Sequence, residues 1–95
     1  MALWNKLKTG LDRAGEAAQH VLDEGRVRLD IARIRKLADK AAQGLGYAVI
    51  KAREAGGDLD AETYGRYRAT IVEHEVELKR QEEQLETLKA ERKKR

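Results

Sequence analysis

Apolar residues recur at helical spacings along almost the whole chain. In the first part they follow steps of 4, 4, 3, 4, 4, 3 and 4, an 11-residue period of about 3.67 residues per turn. The residues on these steps are Leu3, Leu7, Leu11, Ala14, Ala18, Leu22, Gly25 and Leu29. The pattern predicts an amphipathic helix with one apolar stripe, widened by Trp4 near its start.

From Val27 onward the period shortens to 3.5 residues, which is typical of a coiled-coil seam. Steps of 4 and 3 alternate through Val27, Ile31, Ile34, Ala38, Ala41, Leu45, Ala48, Ala52 and Ala55. A second series has the same steps: Tyr64, Tyr67, Ile71, His74, Leu78, Gln81, Leu85, Leu88 and Arg92. The two series predict helices over residues 26–56 and 60–92. Gly25, where the period changes, is either a bend between two helices or a weak point within one.

Three residues, Gly56, Gly57 and Asp60, predict a hairpin turn over residues 56–59 and are called the hinge below. Gly56 can adopt the left-handed conformation that ends a helix, and Asp60 can accept hydrogen bonds from the first amides of the next helix. Folding the chain back about Gly57 makes the two helices antiparallel. This register places Arg35 opposite Glu82.

The predicted fold is therefore all-α, with an amphipathic N-terminal helix in residues 1–24 and an antiparallel two-helix coiled-coil hairpin in residues 25–95. A seam between two helices leaves much apolar surface uncovered, so we expect self-association. The residues expected to mediate it are Leu37, Tyr47, Val49, Ile50, Val72 and Val76.

Composition limits the kind of core that this chain can build. Its 95 residues are 41% hydrophobic and 39% charged, with no Phe and no Pro, which suits long helices better than a thick core. Charge is unevenly distributed: residues 25–57 hold eight basic and three acidic side chains, whereas residues 58–95 hold nine and ten. The basic surplus of the first arm favours an anionic partner.

Candidate catalytic and ligand-binding chemistry is sparse. The chain has no Cys and no Ser, and His20 and His74 stand far apart without neighbours at metal-ligand spacing. We therefore predict no enzymatic activity, no metal, no cofactor and no small-molecule substrate. No apolar run approaches the roughly 20 residues of a membrane span, which predicts a soluble or peripheral protein. We expect a cytoplasmic location, which includes the inner face of the membrane.

Two interpretations of the N-terminal segment stay open. In the first, Leu3, Trp4, Leu7 and Leu11 insert below lipid headgroups while Lys6 and Lys8 meet anionic lipid. In the second, the same stripe packs on the hairpin or on a neighbouring subunit. The sequence supports both equally.

The chain also resembles known proteins over most of its length. Its opening, MALWNKLKTGLDRAGEAA, resembles the amphipathic N-terminal segment of small bacterial helical proteins. The segment IRKLADKAAQGLGYAVIKAREAGGDLDAETYGRYRATIVEHEVELKRQEEQLETLKAE resembles the helical hairpin that precedes a zinc ribbon in such proteins. Because the chain has no Cys, their metal function is not implied here.

The layout also resembles the start of phage shock protein A and its ESCRT-III-like membrane-remodelling relatives. That resemblance implies lipid contact through Trp4, Leu7 and Leu11 and polymer contacts through the outer hairpin faces.

These observations predict a self-assembling structural coiled-coil protein that binds anionic membranes peripherally and shapes or stabilises them. The first alternative is a soluble homo-oligomeric scaffold or adaptor. The second is a nucleic-acid-binding protein, because Arg26, Arg33 and Lys40 form a basic stripe at heptad spacing. Asp30 and Asp39 interrupt that stripe, which disfavours nucleic acid.

Overall fold

The computed structural model describes residues 2–94 and contains two helices in this part of the chain, α1 (Ala2–Glu54) and α2 (Ala61–Lys93). The helices pack against each other as an antiparallel hairpin, which confirms the predicted all-α hairpin. The molecule is long and thin, with extents of 82 × 17 × 15 Å. Its length is that of α1, because 53 residues at 1.5 Å each span about 80 Å.

One uninterrupted helix connects the N-terminal segment to the first arm of the hairpin. Gly25 was expected to be either a bend between two helices or a weak point within one. It lies inside α1, so it is a position within one long helix. Glycine weakens a helix interior by about 1 kcal/mol relative to Ala but does not force a bend. The predicted helix start at residue 26 is therefore wrong, whereas the division of the chain into two domains there stays a prediction.

A Schellman motif ends α1 at the hinge. Gly56 has a left-handed φ of 90°, its N–H donates to Arg53 O at 3.0 Å, and the Gly57 N–H donates to Ala52 O at 3.1 Å. These are the two bonds that satisfy the last carbonyl groups of a helix. Because the left-handed residue lies just outside the helix, α1 ends at Glu54 and not at residue 56 as predicted.

Asp60 begins α2 as its N-cap, as predicted. Its carboxylate Oδ2 accepts hydrogen bonds from the Thr63 N–H and from the Thr63 hydroxyl, both at 2.8 Å. The backbone bond from Thr63, followed by the hydroxyl bond, lowers the pKa of Asp60 below its usual range. The cap thus fixes where the second helix starts.

The seam between the helices follows the predicted 3.5-residue period. The α1 residues shielded by α2 within this period are His20, Glu24, Val27, Ile31, Ile34, Ala38, Ala41, Leu45, Ala48 and Ala52. On α2 they are Tyr67, Ile71, His74, Leu78, Gln81, Leu85 and Leu88. Arg35 Nη2 lies 3.1 Å from Glu82 Oε1, which confirms the predicted register.

Packing along the seam is uneven. Val27, Ile31 and Leu85 form the buried cluster, with Leu78 and Leu88 packed against it, far from the hinge. Nearer the hinge the seam is lined by small residues. There the Tyr67 ring lies so close to Gly44 that an added Cβ would come within 2.9 Å of Tyr67 Cε1. Gly44 therefore allows a close approach that a larger residue would obstruct.

Candidate functional site

The first 18 described residues of α1 extend beyond the end of α2, and we call residues 2–19 the N-terminal extension. Every residue in it is exposed. The exposed fractions include 73% for Leu3, 69% for Trp4 and 73% for Leu11. The large apolar residues assigned to a lipid or protein partner are thus all accessible.

The apolar stripe of the extension lies on the side of α1 opposite α2. His20 and Val27 belong to the seam, and Leu22 and Leu29 follow each of them by two positions, about 200° around a helix. Steps of 3 or 4 connect Leu22 back through Ala18, Ala14, Leu11 and Leu7 to Leu3 on the same face. A longer α2 could not cover this stripe, because it would pass along the other side.

Charge in the tip of the extension is exclusively positive. Among residues 2–11 the only charged side chains are Lys6 and Lys8, and both are exposed. Lys8 lies four positions after Trp4, at one border of the apolar stripe, and Lys6 lies three positions after Leu3, at the other. Lysines at such borders can reach toward a polar interface while their stems lie along apolar surface.

The residues predicted to mediate self-association do not form one patch. Tyr47 and Ile50 lie on the outer side of α1, Val72 and Val76 lie on α2, and Leu37 and Val49 stand next to seam positions. All six are exposed to some degree, most strongly Tyr47 and Val76. The Tyr47 ring is approached by Lys51, whose Nζ lies 5.4 Å from its centroid, at the distance of a cation–π contact.

A buried polar cluster at the open end of the hairpin is absent from the sequence-based expectations. Glu24 is only 5% exposed, and its Oε2 accepts a hydrogen bond from Arg92 Nη1 at 3.2 Å. His20 Nε2 lies 2.6 Å from Leu88 O and donates to it, since a carbonyl can only accept. Glu24 Oε1 is buried and has no hydrogen-bond partner within the described chain.

This cluster could have been found from sequence spacing. His20 precedes Val27 by seven residues and Glu24 precedes Ile31 by seven, so both continue the seam toward the N-terminus. The predicted α1 series begins at its first large apolar residue, Val27, and so omits these two earlier positions, although the α2 series admits polar residues. Their contacts show that the seam extends beyond the apolar repeat and ends in charged and hydrogen-bonded pairs.

Two ion pairs form between charged side chains of α2, Arg80 with Glu77 and Lys89 with Glu86. Arg80 Nη2 lies 2.6 Å from Glu77 Oε2, and Gln81 donates to Glu77 Oε1 at 3.1 Å. The Arg80 bond, followed by the Gln81 bond, lowers the pKa of Glu77 below its usual range. No group of three or more His, Cys, Asp or Glu side chains positioned to hold a metal occurs within residues 2–94.

Neither α1 nor α2 is long and apolar enough, over the described residues, to cross a membrane. Comparisons with known protein-family models, with curated proteins and with solved structures found no match. The resemblance to phage shock protein A and to the hairpins that precede zinc ribbons is therefore supported only by the helical-hairpin layout, and a bacterial origin is unsupported.

Proposed function

We propose that the protein is a structural coiled-coil protein that binds anionic membranes peripherally through its N-terminal extension and assembles with copies of itself. The observation that supports this most strongly is the apolar stripe of the extension, which is exposed and faces away from α2. Such a stripe requires an external apolar environment. A cytoplasmic location at the inner face of a membrane belongs to the same proposal.

A lipid surface suits this stripe better than a coiled-coil partner does. Its 11-residue period drifts around the helix in the sense opposite to that of a left-handed coiled coil, so an ordinary heptad partner could not follow it. The tip also combines Leu3, Trp4, Leu7 and Leu11 with cationic charge only, which suits anionic headgroups. Burying each of these side chains contributes about 1.5–3 kcal/mol before ordering costs, enough for reversible attachment.

Trp4 is the single tryptophan of the chain and therefore reports directly on this contact. Its side chain is largely exposed, so its emission in buffer should be that of a solvated indole, and anionic vesicles should shift it to the blue. Leu7→Glu, which adds a charge to the stripe, should abolish the shift. Asn5→Glu adds the same charge on the polar side and should only weaken it. An unchanged spectrum with vesicles would contradict membrane attachment.

Self-assembly is supported by the apolar residues left exposed on the hairpin, chiefly Tyr47, Ile50 and Val76. Replacing Tyr47 and Ile50 with Glu should shift the sedimentation profile of the purified protein toward smaller species. Circular dichroism should show that helicity is retained, since neither residue lies in the seam. A wild-type protein that sediments as a monomer at tens of micromolar would contradict this part of the proposal and leave lipid attachment unaffected.

A further inference from the structure

Several basic residues of α1 have no role in the function proposed above, yet they continue the face of its apolar stripe. Leu22, Arg26, Leu29, Arg33, Lys36 and Lys40 follow one another at steps of 4, 3, 4, 3 and 4. Steps of 3 and 4 keep residues on one side of a helix. We call these six residues the composite face, and it lies opposite the seam.

The composite face is open and mostly free of internal ion pairs. All six residues are exposed. Arg33 lies 3.8 Å from Asp30 in a loose pair, whereas Arg26, Lys36 and Lys40 form no salt bridge with any described residue. Asp39 is the one acidic residue close to Lys36 and Lys40 on this side. Positive charge therefore predominates along the face.

The corresponding face of α2 has a different character. Ala69, Val76, Glu83 and Ala90 follow seam residues of α2 by two positions, so they lie opposite the seam. Nearby, Arg80 is paired with Glu77. The two broad surfaces of the hairpin thus differ: the α1 side combines exposed leucines with a predominance of cations, whereas on the α2 side cations such as Arg68 and Lys79 are interspersed with acidic and small residues.

We propose that the composite face is a second contact with the anionic bilayer, so that α1 lies flat along the membrane and α2 lies on the side away from it. This inference rests on the proposed function, because the extension determines which side meets lipid. Trp4 and Lys40 are about 54 Å apart along the helix axis, so contact would extend over most of the molecule.

Charge and apolar residues together favour a bilayer over nucleic acid as the occupant of this face. Phosphates of a nucleic acid would engage Arg26, Arg33 and Lys40, but the exposed Leu22 and Leu29 on the same face would gain nothing from a phosphate backbone. A lipid surface offers charged headgroups for the basic residues and, just below them, an apolar acyl region for the leucines.

The electrostatic part is tested with the full-length protein and vesicles of phosphatidylcholine with or without phosphatidylserine. A triple variant, Arg33→Gln, Lys36→Gln and Lys40→Gln, should bind the anionic vesicles about 100-fold more weakly, since each basic residue near the surface contributes about fivefold. The control triple, Arg68→Gln, Lys79→Gln and Lys94→Gln, removes the same charge from two exposed sites on α2 and from its exposed C-cap residue. It should bind nearly as tightly as the wild type.

Orientation is tested with an environment-sensitive dye on a single introduced cysteine, because the chain has none of its own. Leu29→Cys and Val76→Cys are a matched pair, with the native side chains 68% and 64% exposed on opposite sides of the hairpin. With anionic vesicles, the dye at position 29 should shift to the blue and be quenched by spin-labelled lipid. The dye at position 76 should not be quenched by spin-labelled lipid.

The possible results separate the two proposals. In one outcome the Trp4 emission shifts to the blue, but the two triple variants bind vesicles alike and the dye at position 29 stays solvated. Flat docking is then wrong, while attachment by the extension stands. If the Trp4 emission does not shift with anionic vesicles, attachment by the extension and flat docking of α1 are both wrong. A loss of duplex-DNA affinity in the α1 triple variant alone, without any effect on vesicle binding, would assign the composite face to nucleic acid and overturn the bilayer contact.

Discussion

The two ends of the hairpin are stabilised in different ways. At the open end Val27, Ile31, Ile34 and Leu85 are between 5% and 9% exposed, and they are the buried apolar residues of the described chain. At the hinge end the seam is built from small residues facing partly exposed ones such as Tyr67. The end that is covalently closed is thus the less well packed.

Backbone hydrogen bonds take the place of side-chain burial at the hinge. The Schellman bonds of Gly56 and Gly57 and the Asp60 cap determine how the chain reverses. At the open end no covalent connection keeps the helices together, so large side chains and the Glu24–Arg92 pair must do so. A thin hairpin can therefore be fixed at one end by local backbone geometry and at the other by packing.

The largest expected effect comes from comparing the same substitution at the two ends. Ile31→Ala removes a buried side chain and should lower the free energy of unfolding by about 2 kcal/mol, the lower end of the range for such changes. Ile71→Ala removes the same atoms from a partly exposed seam position and should cost about half as much. Denaturant unfolding measures both. Equal losses would mean that the two ends are packed alike.

Breaking the polar cluster at the open end should have the next largest effect. Arg92→Gln leaves the Glu24 carboxylate buried without its cation and should lower the free energy of unfolding by about 1–2 kcal/mol. The loss is smaller than for a fully buried pair because Arg92 is half exposed. Arg80→Gln is the matched control, since its pair with Glu77 is on the surface and should contribute little. Similar unfolding midpoints for the two variants would show that the cluster does not stabilise the open end.

At the hinge, the sensitive feature is one backbone angle. Gly56→Ala imposes a side chain on a residue with φ of 90° and should cost about 1 kcal/mol after allowing for the lower entropy of the unfolded chain. Gly57→Ala introduces no positive-φ strain and meets no atom within 4 Å, so it should be neutral or slightly stabilising. Thermal unfolding of the two variants distinguishes a conformational requirement from a general preference for glycine.

The smallest expected effect is the pH dependence of the Asp60 cap. Its pKa is lowered in the folded state, so its stabilisation is present at neutral pH, above the unfolded pKa of about 3.9, and is lost as the pH falls through the folded pKa. Asp60→Asn keeps a capping group but cannot ionise. The difference in melting temperature between wild type and variant should therefore shrink in acid. A difference that does not change with pH would mean that ionisation of Asp60 does not stabilise the cap.

Much of this fold follows from local rules that act on neighbouring residues. The period of 3.5 residues located the seam, the glycine and aspartate signals located the hinge, and the antiparallel register placed Arg35 against Glu82. Each of these three features depends either on residue spacing or on the conformational preference of a single residue. Spacing and such preferences can both be judged from the sequence. Function is different, because exposed apolar faces do not identify what covers them, so the lipid and self-association surfaces stay predictions.

The features that escaped prediction depend on polar pairing or on the balance of weak local effects. Glu24 and His20 occupy seam positions only because Arg92 and the Leu88 carbonyl provide partners from the other helix. A search for apolar repeats does not detect such partners. The sequence also left open whether α1 continues through Gly25, because glycine lowers helix stability without excluding a helix.

Because α1 continues unbroken through Gly25, the number of residues between two positions determines the angle between them around the helix axis. Each residue turns the helix by about 100°, so the count between the stripe of the extension and the seam sets the angle between the two apolar faces. Inserting one residue between Ala18 and His20 would rotate the stripe to the side of the hairpin, and inserting two would bring it close to the α2 side. The orientation of the hairpin relative to whatever holds its tip is thus set by helical phase, and small insertions or deletions would reorient it while preserving every residue of both surfaces.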